Sequence, residues 1–337
     1  MTNQIANPPI LIPCLIIILI LVASFSLSIG PANISFENVA KICLSKLPFV
    51  DFQGIDPIHE NIILNIRLPR VWLAIITGMA LSVVGVVFQA LLRNPLADPY
   101  IIGVSSGAAL GATLAIALGL ISLISPLGFL GAALTMFLVY NLAKTDHKIP
   151  VYTLLLAGVV VGAFFFALIT LVTALMGEDM HQIILWLMGN LSETNVLLII
   201  IASLMGLAGI TIVYLFARDL NIISIGEEPA QHLGVAVETV KKVLFIVASL
   251  ITGAVVAITG LIGFVGLIIP HTMRLIVGPD HRILFIASAL AGGIFLVLAD
   301  LFARSVISPV EIPVGVITAM FGGPFFLFLL KRKKTGL

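Results

Sequence analysis

Charge is what this sequence has least of. Of its 337 residues only 10% are Asp, Glu, Lys or Arg, while 60% are hydrophobic; soluble domains carry roughly 25% charged residues. A water-soluble fold has no way to hide that much apolar surface, so the composition points to a chain that lives in a bilayer. Cysteine is nearly absent. Cys14 lies inside an apolar run and Cys43 outside it, which argues against a disulfide and leaves no thiolate metal or redox motif. Apolar and polar residues do not alternate at period two, which excludes a membrane barrel. No Gly-x4-Gly-Lys-Ser/Thr occurs, so the chain has no P-loop to cradle ATP. The six histidines (His59, His147, His181, His232, His271, His281) share no short ligand spacing, so no metal site is expected. A net charge of +1 gives no reason to expect nucleic acid as a partner.

What is present is a series of apolar runs, and they predict an all-α polytopic membrane protein. Ten spans are expected, at about 10–29, 67–92, 100–120, 123–143, 151–176, 196–216, 243–262, 265–276, 284–307 and 314–330. The first has no Lys or Arg before it, and at about 20 residues it suits a retained helix better than a signal peptide. Asn94-Pro95-Leu96-Ala97-Asp98-Pro99 breaks the chain after the second span, because two prolines so close together do not fit inside a regular helix. Gly103, Gly107 and Gly111, and later Gly158 and Gly162, recur every fourth residue, which lets helix backbones approach closely. Residues 178–195 are mixed, with Trp186 suggesting a piece at the membrane interface. A faint echo links Ala80-x4-Gly85-Val-Val-Phe88 to Ala254-x5-Gly260-Leu-Ile-Gly-Phe264 in a helix of opposite direction, as inverted repeats would place them.

Ten spans put both termini on one side. If that side is the cytoplasm, it holds 12 of the 17 Lys and Arg, among them Lys144, Lys148, Lys241, Lys242 and the run Lys331–Lys334. The other side then holds Lys41, Lys46, Arg67, Arg70 and Arg304, which satisfies the positive-inside bias. The whole chain, 1–337, reads as one transmembrane domain, with a polar loop at about 218–242 on the cytoplasmic face.

That loop is the polar island of the sequence. Glu227, Glu228, Gln231, His232, Glu238, Lys241 and Lys242 lie between two long apolar runs. A short helix is expected from Glu228 to His232, with Pro229 in its first turn and Gly234 ending it. Such an island is either a solvated loop or a docking element for a soluble partner.

Other motifs carry less. Gly103-Val104-Ser105-Ser106-Gly107 matches the Gly-x-Ser-x-Gly nucleophile pattern, but beside an apolar helix it reads as close packing, and no catalytic residue is expected. His271 follows Pro270 and reads as a hydrogen-bonded structural residue. Arg67-Leu68-Pro69-Arg70 sits at an outer helix start, as snorkelling side chains or as a cationic patch for an external acidic partner. Asp300 and Arg304 are spaced i, i+4 and suit pairing. Asp300 is the one carboxylate well inside a predicted span, and so few intramembrane ionisable groups suggest that energy arrives from elsewhere.

Several of these segments together resemble one family, the FecCD/BtuC-type permeases of ABC importers for iron–siderophore complexes, haem and cobalamin. They are Arg67–Arg70, Gln89-Ala-Leu-Leu-Arg-Asn-Pro-Leu-Ala-Asp-Pro99, Gly103–Gly107, Leu154-Leu-Leu-Ala-Gly158, Gly226-Glu-Glu-x-Ala-x-x-Leu-Gly234, Gly263-Phe-Val-Gly-Leu-Ile-Ile-Pro-His271, Asp280-His-Arg282, Ala299-Asp-Leu-Phe-Ala-Arg304 and Glu311-Ile-Pro-Val-Gly315. The resemblance implies a type II ABC importer permease fold of about ten helices with inverted pseudo-repeats, in the cytoplasmic membrane of a bacterium or archaeon. It implies a homodimer, two cytoplasmic ATPase subunits that use ATP and Mg, and one external substrate-binding protein, with no cofactor bound by this chain. Residue by residue, Arg67, Arg70 and Arg304 fall where the family's outer arginines meet the binding protein. Asn94 and Leu96 fall near the cytoplasmic gate, and Gly226, Glu227, Glu228, Ala230, Leu233 and Gly234 form the loop that couples to the ATPase. Pro150-Val151 stands where family members often carry small hydroxyl residues, so that part of the gate is unassigned. A permease for bare zinc or manganese, or an ion-coupled secondary transporter, are the alternatives.

Overall fold

The computed structural model describes residues 8–30, 32, 34–46, 52, 54–145, 150–177 and 180–334. Asp51, Glu178 and residues 146–148 of the expected charged turn at 144–148 lie outside them. The helices are α1 (Pro8–Ser28), α2 (Phe36–Leu44), α3 (Pro57–Asn61), α4 (Leu68–Leu91), α5 (Val104–Ala117), α6 (Ile124–Ala143), α7 (Val151–Leu175), α8 (Met180–Leu187), α9 (Val196–Leu215), α10 (Ala217–Ile225), α11 (Glu227–His232), α12 (Val237–Thr259), α13 (Val265–Val277), α14 (His281–Ser305) and α15 (Val314–Lys334). Among the described residues, seven stretches are long and apolar enough to cross a membrane, and three shorter apolar helices join them: α5, α13 and α15. The architecture is therefore that of an all-α polytopic membrane protein.

The centre of the body is α4, which packs against α9, α12, α13 and α14. Small residues make this packing close. A Cβ on Gly78 would strike the backbone of Gly292 in α14, and one on Gly85 would strike Gly266 in α13. Thus α4, α12 and α14 are mostly covered by the chain itself, whereas α1, α6 and α7 turn most of their apolar surface outward. Outward-facing residues such as Phe164, Phe166 and Leu175 of α7 suit lipid or another apolar surface.

Three expectations need correction. The second span does not begin near Arg67. It runs unbroken from Pro57 to Leu91, through a π-helical turn at Ile62–Arg67. Pro69 has no N–H and crowds the turn before it; the backbone widens there, and the Leu68 N–H bonds to the Ile63 carbonyl. The third span does not begin at Tyr100. Pro99–Ile102 is a 3-10 turn, and Gly103 sits outside the helix at φ 81°, a left-handed position that favours glycine. The stretch with Trp186 contains the short helix α8 and is tied to the body on one side. Ile183 and Leu191 are fully buried, and the Asn190 N–H bonds to the Thr259 carbonyl at 2.7 Å. Met180, Leu185 and Met188 of the same stretch stay exposed. The proposed echo also fails at its glycines: Gly85 lies within α4 at a helix crossing, while Gly260 ends α12 at φ 68°.

Candidate functional site

The structure gathers its polar residues at the two ends of α4. Arg70 is near the start of that helix and Arg93 just past its end; at 1.5 Å per residue the two ends are about 35 Å apart. Helix α14 runs the other way, from His281 to Ser305, and touches both ends.

At the Arg70 end lies a buried ionic cluster. Arg70 Nε donates to Asp300 Oδ1 at 2.8 Å, and its Nη1 donates to Glu311 Oε2 at 2.7 Å. Arg304 Nε stands 3.4 Å from the other oxygen of Asp300. Asp300 is fully buried, so its charge is sustained only by a cation on each side. Arg67 and Arg304 then reach into the end of α1. Arg67 Nη1 donates to the carbonyls of Leu27 at 2.7 Å and Ser28 at 3.0 Å, and Nη2 to Ala32. Arg304 donates to Ile29 O at 2.7 Å, to Ser26 Oγ at 2.7 Å and to Ser26 O. The last carbonyls of a helix have no intrahelical donor, and water is scarce beside an apolar body. Two guanidinium groups supply the donors and place positive charge at the negative end of the helix dipole.

This geometry corrects the expected outer patch. Arg67, Arg70 and Arg304 are 4%, 7% and 3% exposed. They are clasp residues that hold α1, α4 and α14 together, not a free cationic surface. The physical reason is the continuous helix through Pro57, which carries Arg67 inside the body instead of leaving it at a helix start. Asp300 and Arg304 pair, as their spacing predicts. Arg70–Asp300 and Arg70–Glu311 are partnerships across 230 and 241 residues of chain that no local pattern announces.

At the other end the polar island is not an open loop. Helix α10 takes up its first residues, and α11 follows after Gly226, whose φ of 156° and ψ of 151° suit glycine. The expected short helix exists one residue longer than predicted, as Glu227–His232, and Gly234 follows at φ 84°. Nothing lies within 4 Å of where a Gly234 Cβ would be, so glycine is needed there for its backbone alone. Ala230 is fully buried beneath α11, while Glu228, Gln231, His232, Leu233 and Gly234 are exposed.

Two sets of contacts fix this element. Lys241, only 8% exposed, donates to Glu227 Oε2 at 2.5 Å and to Glu238 at 3.3 Å. Arg93 Nη2 lies 3.7 Å from Glu227 Oε1. Behind α10, Asn221 donates to Asp280 Oδ1 at 2.7 Å. Its own carbonyl oxygen must then accept, and it takes the His281 N–H at 2.9 Å and meets His281 Nδ1 at 2.7 Å. Nδ1 therefore carries the imidazole proton. This explains part of the Asp280-His-Arg282 motif, which by sequence had no assigned role.

Between α4 and α5 the break forms a set of local turns. Asn94 Oδ1 accepts the Leu96 N–H at 3.0 Å, and Asp98 accepts the Tyr100 N–H at 2.8 Å. The Tyr100 hydroxyl accepts the N–H of Ile262 at 2.6 Å, tying the break to the α12–α13 turn. Asp98 also accepts the Phe264 N–H; close packing pushes its carboxyl up to about 6, against the pull of those two bonds. Asn94 is exposed and Leu96 half-buried.

Residues 16–332 match the FecCD transport family. The chain belongs to that family. It is 43% identical over 283 residues to the cobalamin import system permease protein BtuC of Halobacterium salinarum, covering 83% of this chain and 76% of that one. To the hemin transport system permease protein HmuU of Yersinia pestis it is 36% identical over 340 residues, covering 98% of each. A solved inward-facing metal-chelate type ABC transporter superposes with a TM-score of 0.83 at 33% identity, over 96% of this chain and 99% of that one. The chain is thus a multi-pass permease of the metal-chelate, cobalamin and haem class of ABC importers, a transport subunit of the membrane.

Proposed function

We propose that this permease moves an iron chelate, a ferric siderophore or haem, across the cytoplasmic membrane, driven by ATP hydrolysed in a separate subunit. The observation that carries this reading is α11: a short helix held from behind by Ala230 and Lys241, with Glu228, Gln231, Leu233 and Gly234 facing outward. A docking element needs that combination of a fixed back and an open face. Two ATPase subunits dock there, using ATP and Mg, and α11 lies on the cytoplasmic side together with both termini. A second copy of the chain packs on the outward apolar faces, with the passage between the copies, and Asn94 and Leu96 stand at its inner end. One external binding protein delivers the chelate at the Arg70 end. There the clasp presents Glu311, whose side chain is 43% exposed, in place of the free arginines expected from the sequence.

Reconstitution in liposomes with the ATPase and binding protein tests the reading. ATP hydrolysis and uptake are compared for a ferric siderophore, haem and cobalamin. The expected result is uptake that needs ATP, survives an ionophore and is greatest for an iron chelate. Uptake without ATP that collapses with the ionophore would overturn the importer reading; preference for cobalamin would overturn the substrate.

A further inference from the structure

We infer that Glu227 and Arg93 form the link through which movement of α11 reaches the core helix α4. This rests on the reading that the ATPase docks at α11. Three observations carry it. First, both oxygens of one carboxylate are engaged by cations from different elements: Oε2 by Lys241 of α12 at 2.5 Å and Oε1 by Arg93 at 3.7 Å. Second, Arg93 is placed to act as a handle. It follows directly on the end of α4, and it also donates from Nη2 to the Ile223 carbonyl of α10 at 3.4 Å. Its backbone stands at φ 46°, where a non-glycine residue is strained, and such a conformation persists only when its surroundings hold it. Third, the two halves of the bridge differ in kind. Lys241 is nearly buried and its contact is short, so it ties Glu227, the first residue of α11, to the start of α12; the side chains of Arg93 and Glu227 are 48% and 36% exposed, so that contact adjusts without stranding a charge.

The break after Arg93 continues the path. Its far end is tied by the Tyr100 hydroxyl to Ile262, in the turn between α12 and α13. A displacement of α11, with the start of α12 tied to it, thus bears on Arg93 through Glu227, and the segment 93–100 carries it to the α12–α13 turn. Arg93 and Glu227 are positioning residues. They act on the body of the permease through the end of α4.

The test uses the full chain assembled with its ATPase, carrying spin labels at Leu96 and Val306, and needs no transported ligand. The distance between labels is measured without nucleotide and with ATP bound. The wild type is expected to show a shift. In Arg93→Gln and in Glu227→Gln the shift is lost while the ATPase still co-purifies, and Arg93→Lys, which restores the charge on the same backbone, restores it. A full shift in Arg93→Gln, or no rescue by Arg93→Lys, would overturn the link. Loss of the ATPase from Arg93→Gln would also overturn it, because Arg93 would then serve docking. If the wild type itself does not bind the ATPase, it is the docking reading of α11 that fails.

Discussion

The two ends of this permease use the same device in opposite ways. At each end one carboxylate sits between two cations: Asp300 between Arg70 and Arg304, Glu227 between Lys241 and Arg93. Asp300 is sealed, with both of its arginines under 10% exposed, while the Arg93–Glu227 contact faces water. Burial decides what such a bridge is for. Removing one partner of a buried pair costs about 3–5 kcal/mol, because the remaining charges have no water to turn to. An exposed pair contributes about 0–1 kcal/mol and is screened by salt. The sealed cluster therefore works as a permanent fastener, and the open one as a joint.

The strongest way to break this comparison is Asp300→Ala. It leaves buried Arg304 with no carboxylate and Arg70 with Glu311 alone, and a loss of about 3–5 kcal/mol is expected in detergent unfolding of the isolated permease. A loss under 1 kcal/mol would mean that water reaches the cluster. Next comes Arg304→Met, which fills the space but leaves the carbonyls of Ser26 and Ile29 without a donor. Each orphaned acceptor costs about 1–3 kcal/mol, and hydrogen exchange should rise at the end of α1 while α11 is unchanged.

A smaller effect concerns Asp98. Its carboxyl is raised in the folded chain to about 6 from an ordinary 3.8, so the folded state holds the proton more tightly than the unfolded one. The resulting stability is complete below about 4 and lost as pH rises through about 6. Between pH 7 and pH 5 the wild type should gain on the order of 1 kcal/mol that Asp98→Asn does not gain. Equal pH dependence in the two proteins would contradict the burial of that carboxyl. The smallest stability effect is expected from Arg93→Gln, at about 0–1 kcal/mol, despite its predicted loss of coupling. An unfolding midpoint shifted as far as that of Asp300→Ala would erase the distinction between fastener and joint.

Composition and apolar run length by themselves determined the class. With 10% charged residues and a run of apolar segments, no fold other than a helical membrane bundle can satisfy both side chains and backbone. Local chemistry also placed the break at Asn94–Pro99, the short helix closed near Gly234, and the Asp300–Arg304 pair, because prolines, caps and i, i+4 spacing act over a few residues. The fate of Arg67, Arg70 and Arg304 was decided elsewhere. Whether an arginine near a helix end faces water or a carbonyl depends on what packs beside it, and here that is the end of α1, more than 30 residues away in sequence for Arg67 and more than 270 for Arg304. The same holds for Arg93 with Glu227. Both residues lie within sequence motifs, but only the folding of α10 and α11 back against the end of α4 makes them neighbours. Charge in an apolar chain is read locally as a rarity; its partner is set by tertiary contact, since desolvation forces each buried ion to find one wherever the fold provides it.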